Sequence, residues 1–158
     1  MSSQTITNEP IAKSRLPQNW EKSKDVYTGD DLIDAFLTGK EAGKNEHFRI
    51  LLAQFKENID QAASLSEKLY KQIAELNIKP FDVRIKAEDI TRFKALFIVQ
   101  KEDFLSDEFR NAYVLSRKIK NDSESDKFYI SFSFTPSSED LNEHCLVADG
   151  FFMKYDKK

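Results

Sequence analysis

The chain has one cysteine, four glycines and four prolines among 158 residues. The lone Cys145 builds no intramolecular disulfide, so nothing ties the fold to an oxidising compartment. The glycines, Gly29, Gly39, Gly43 and Gly150, form no Gly-rich loop. A Walker or Rossmann phosphate cradle therefore has no starting point, and there is no Gly-x-Ser-x-Gly elbow for a serine hydrolase. No apolar run approaches the ~20 residues of a membrane-spanning helix. Residues 1–10 lack the basic-then-apolar order of a signal peptide. An excess of charge is missing as well: 24 basic against 27 acidic side chains give −3. The balance is flat along the chain, with four basic and three acidic groups in 1–28, six and nine in 29–77, and fourteen and fifteen in 78–158. No region has the basic excess on which nonspecific nucleic-acid binding depends. The expectation is a soluble cytoplasmic protein with no membrane contact.

What the chain does have is phenylalanine and one long stripe. Thirteen Phe, most of them in the C-terminal half, place the main core there. Each contributes roughly 1.5–3 kcal/mol when buried. The stripe is Phe48, Leu52, Phe55, Ile59, Ala62, Leu69, Ile73 and Leu76, spaced three and four apart and interrupted by Ser66. That spacing puts all of them on one side of a helix. The helix should run from about Lys44 to Asn77, where Asn77 and then Pro80 end it. In heptad terms the flanking positions hold Arg49, Lys56, Ala63 and Tyr70 on one side and Leu51, Asn58, Leu65 and Gln72 on the other. None is acidic, so a two-stranded homodimer of this helix has no flanking salt bridges. The arc is wide, as in a helix that faces a core.

Ahead of it, residues 1–27 read as a polar, flexible arm broken by Pro10 and Pro17. The sharper alternative is that Trp20 docks on the folded part, because its large ring favours burial. Thr28 is placed to cap a first helix with Asp30 and Asp31 in its opening turn. Ile33, Phe36 and Leu37 form its apolar patch, and Gly39 and Gly43 mark a bend before the long helix.

Beyond Pro80 the period changes. Phe81, Val83 and Ile85 alternate with polar residues as in a half-buried strand, and Ala95 to Val99 is a continuous apolar strand. Ser106 opens a helix with Asp107 and Glu108 in its first turn and Arg117, Lys118 and Lys120 in its last. Phe128, Ile130, Phe132 and Phe134 alternate cleanly up to Pro136. Ser137 to His144 reads as a turn or short helix, and a last strand as running from Leu146 to Tyr155. The fold class is α+β. A long N-terminal helix, or a broken helical pair, packs on or extends from a small, mostly antiparallel sheet of about four strands, with one well-capped helix. Three regions follow: a flexible arm 1–27, a helical region 28–77 and an α+β domain 78–158.

Candidate chemistry is sparse. His144 and Cys145 are the residue types of a thiolate nucleophile or metal site. As sequence neighbours they point apart, and His47 is the only other histidine. The acidic pairs Asp30/Asp31, Glu88/Asp89, Glu102/Asp103, Asp107/Glu108 and Glu139/Asp140 sit where turns and helix starts want charge, rather than where a pocket would hold two carboxylates. In outline, Leu96-Phe97-Ile98 and Lys127 to Phe132 resemble the two aromatic strand motifs of the RNA-recognition fold, whose open sheet stacks bases. The match departs in three ways: no Gly follows Lys127, Ser131 stands where a stacking aromatic belongs, and one strand rather than two follows the helix.

The leading expectation is a noncatalytic intracellular protein that acts by protein–protein interaction or self-association through the helical region. The stripe from Phe48 to Leu76 would be its packing or interface surface. No catalytic residue, metal or cofactor is assigned. The alternative is a small-ligand-binding protein or enzyme with a pocket between sheet and long helix, lined by Tyr129, Ser131, Ser133 and His144. A nucleic-acid-binding module is third.

Overall fold

The computed structural model describes residues 17–22 and 46–156. The long helix, α1, runs Glu46–Ala74. Leu52, Phe55, Ile59, Ala62, Leu69 and Ile73 are buried in one hydrophobic core with the sheet, and Leu76 packs against its margin. The flanking Ala63 is buried too, and Leu65 and Tyr70 lean on the same core, which is the wide arc the flanks predict. Asn77 ends the helix in the left-handed region, at φ 66°. The Asn77 N–H donates to the Ala74 carbonyl, and the Ile78 N–H reaches back to that of Ile73. This pair of bonds is a Schellman stop, sealed by the buried Ile78. The Phe48 side chain, Thr28, Asp30, Asp31, the Ile33–Leu37 patch and the continuity of helices 30–42 and 44–77 lie outside the described residues.

Five strands form one sheet: β1 (Trp20–Lys22), β2 (Asp82–Ala87), β3 (Arg92–Val99), β4 (Tyr129–Pro136) and β5 (Met153–Tyr155). Their spatial order is β1-β5-β2-β3-β4. Three neighbouring pairs are antiparallel, and β3 with β4 is parallel. A short helix α2 (Lys101–Phe104) and α3 (Phe109–Ser123) make the crossover that a parallel pair requires. The sheet is thus mostly antiparallel, with one strand more than the four read from alternation. The extra strand is β1, in the stretch read as an arm. Trp20 is buried there, donates its indole N–H to Glu67 Oε2 at 3.0 Å and packs on Tyr155.

Two other boundaries differ from the sequence reading. Residues 146–148 belong not to the last strand but to a helix, α4 (Glu143–Ala148). The Asn142 side chain caps it by accepting from the Cys145 N–H at 2.9 Å. In a helix of six residues, Leu146 and Val147 carry no readable period. At Ser106, the hydroxyl donates back to the Asp103 carbonyl at 2.7 Å instead of capping forward, so α3 begins three residues later.

The pleat sorts the side chains. Val83, Ile85, Phe93, Ala95, Phe97, Val99, Ile130, Phe132, Phe134 and Met153 share the face covered by α1 and α3. The far face carries Arg84, Arg92, Lys94, Leu96, Ile98, Tyr129, Ser131, Ser133, Thr135 and Lys154. There α4 covers part of β2 and β3, with Leu146, Phe151 and Ile98 forming a small second core.

Candidate functional site

The structure does not gather the residues singled out from sequence. Tyr129, Ser131 and Ser133 lie on the far face, away from α1, so they line no space between the sheet and the long helix. His144 is exposed on α4, and so is Cys145 beside it. Among the described residues no three His, Cys, Asp or Glu side chains come close enough to hold a metal ion. Asp89 serves its own turn, where its Oδ1 accepts from the Thr91 and Arg92 N–H groups and closes the β2–β3 connection. Phe97, in the first of the two aromatic strand motifs, is fully buried beneath the helices and presents no face to a base. An open groove of about 540 Å³ runs past Ile50, Gln54, Lys56, Glu57 and Asp60 on the outer side of α1. Among the described residues none of its lining side chains is a buried polar group.

Two buried polar centres escaped the sequence reading. Asn58, 1% exposed, donates from Nδ2 to the carbonyls of Ile90 at 2.9 Å and Lys127 at 2.8 Å. Its Oδ1 accepts from Gln54. It ties α1 to the turn before β3 and to the loop before β4. Arg84, 3% exposed on the far face, meets Glu143 through both terminal nitrogens and Asp82 through Nε. Burial works against its charge, but bonds to Glu143 and Asp82 outweigh that and hold the guanidinium above its usual range. Both centres fasten one element to another, and a polar residue inside a β or α period was their only sequence signal.

What remains open is the outer edge of β4. Its eight residues, Tyr-Ile-Ser-Phe-Ser-Phe-Thr-Pro, carry no charge. The N–H of Tyr129 donates to the Thr91 carbonyl and that of Ser137 to the Val99 carbonyl, so odd-numbered residues face β3. By the alternation of a parallel ladder, the N–H and C=O groups of Ile130, Phe132 and Phe134 point outward. Among the described residues no strand pairs with them. Cations mark the start of this edge: Arg92 lies 4.5 Å and Lys120 4.8 Å from the Tyr129 ring centre. Lys120 comes from α3, on the other side of the sheet. Pro136, without an N–H, closes the far end. Above the edge Tyr113, 38% exposed, meets Phe134 edge to face, and the α2–α3 segment also exposes Leu105 and Val114. The opposite edge, β1, is three residues long and carries the exposed charge of Glu21, the usual protection of an edge.

The chain matches no protein-family model, no curated protein and no solved structure. No helix among the described residues is long and apolar enough to cross a membrane.

Proposed function

We propose that this is a noncatalytic, cytoplasmic protein that acts by docking another protein chain, and that the docking site is the outer edge of β4. The observation that carries the reading is the edge itself. It is long, uncharged and lined with backbone groups that no strand among the described residues pairs, which is what strand addition uses. Natural edges without a partner are shortened, charged or covered. With the α1 stripe from Leu52 onward packed into the chain's own core, β4 is the surface the geometry favours for the contact first expected of the helical region. The polar candidates for a pocket are dispersed over β4 and α4, and the Tyr129 ring is flanked by two cations rather than free to stack on a base.

A photo-crosslinking residue placed at Ser133 in living cells tests this, with one at Lys68 on the exposed side of α1 as control. The expected result is a covalent adduct with a protein chain from Ser133 and none from Lys68. Equal yields from both positions, or none from either, would remove the proposal.

A further inference from the structure

Among partners from outside the chain, two kinds could extend β4: a second copy of this one, or an extended segment from a different protein. The position of α3 separates them. It lies against β4 on the near face, where Phe109 and Tyr113 meet Phe134 edge to face. Two copies paired antiparallel at this edge would be related by an axis perpendicular to the sheet, and each would bring its own α3 to the same place. The helices would stand about one strand spacing apart, ~5 Å, where packed helices need about 8–10 Å. A bare strand has no such helix and meets only the side of Tyr113.

Charge narrows the partner further. Arg92 and Lys127 at the start of β4 meet no carboxylate among the described residues. Glu139 and Asp140, just beyond its end, meet no cation there. The two faces of the edge also differ. Phe132 and Phe134 flank the near side, and Ser131, Ser133 and Thr135 flank the far side.

We infer that β4 takes an extended segment of a different protein, antiparallel, alternating apolar with hydroxyl-bearing residues and ending in a carboxylate beside Tyr129. This rests on the β4 edge being the docking site. The apolar side chains of the segment fall beside Phe132 and Phe134 under Tyr113, and its hydroxyls fall beside Ser131 and Ser133. Its terminal carboxylate reaches Arg92 and Lys127, and a cation at its other end faces Glu139 and Asp140. Lys120 and Pro136 bound the site, so the hydrogen bonds come from Ile130, Phe132 and Phe134.

The probe is a labelled synthetic peptide that alternates valine and threonine, with lysine first and aspartate last. Its comparisons are the same peptide with a central proline and one with the two charges exchanged. The full chain should bind the first, and bind the other two about tenfold more weakly or not at all. Bound peptide should slow amide exchange at Ile130, Phe132 and Phe134 and leave the amides of Ser131 and Ser133, already in the ladder, unchanged. Phe132→Pro, which removes an outward N–H without touching the β3 ladder, should abolish binding. The exchange pattern of the unaltered chain is an independent readout should that variant melt early. Binding without protection of the three amides, or no binding by any peptide, overturns the inference. So does a chain that sediments as a dimer with those amides already protected. In the last two cases an adduct from Ser133 still upholds docking at β4, whereas its absence removes both.

Discussion

At the scale of single residues, the core of α1 holds two polar side chains with opposite consequences. Ser66 is fully buried and its hydroxyl has no hydrogen-bond partner among the described residues. Ser66→Ala therefore removes an unsatisfied group and leaves a methyl that suits the stripe. It should raise the stability measured by urea denaturation by about 1 kcal/mol. A loss would show that the hydroxyl is satisfied in solution. Asn58 is the reverse case, because two backbone carbonyls depend on its amide. Asn58→Leu keeps the branched outline of the side chain and orphans both. It should cost about 3 kcal/mol in the same measurement, well above the loss for a surface substitution. Hydropathy alone places both residues as blemishes in an apolar pattern; what separates them is the partner 32 and 69 positions away, which no local period records.

At the scale of elements, legibility follows length and period. The wide arc of α1, its stop at Asn77 and the alternation of β4 are readable because each repeats over several turns or pleats. Helix α4 is not, since one turn and a half offers no period, and its position depends on the Arg84–Glu143 contact as much as on its cap. Glu143→Gln takes from the buried Arg84 the carboxylate that both its terminal nitrogens meet. Because the Glu143 side chain is one-third exposed, at 33%, the loss should be about 2 kcal/mol rather than the full value for a buried pair. Faster exchange of the α4 amides should accompany it; unchanged exchange would show that Leu146 and Phe151 hold the helix unaided. The candidate site was half legible. The uncharged β4 stands out in the sequence, but its place at the edge does not, because β5 enters between β1 and β2 from a distant part of the chain.

The corner where β1 meets β5 has its own pH dependence. Burial raises the hydroxyl pKa of Tyr70, and burial with the charge of Glu67 raises that of Tyr155. The unfolded phenols ionise around the ordinary value of 10.0, and the folded ones ionise later. Above that pH the folded state holds more protons than the unfolded state, so stability falls as pH rises. Denaturation midpoints on the two sides of pH 10 should show the fall, and Tyr70→Phe with Tyr155→Phe should flatten it.

At the scale of the whole molecule, the order β1-β5-β2-β3-β4 places the segment around Trp20 beside a strand built from residues 153–155. The single tryptophan reports on that junction, since Tyr155 packs against it and Glu67 holds its indole N–H. A chain ended at Phe152 should emit at longer wavelength, as a hydrated indole does, while α3 and β4 remain protected from exchange. A Trp20 emission unchanged by that deletion would mean that Glu67 and the core suffice to hold it. During synthesis the consequence is one of timing. The hairpin of β2 and β3 and the crossover to β4 can form while the ribosome is still at work, but β1 has no neighbour until β5 emerges. Trp20 is therefore made more than a hundred residues before the strand that seats it, and its burial marks the arrival of β5.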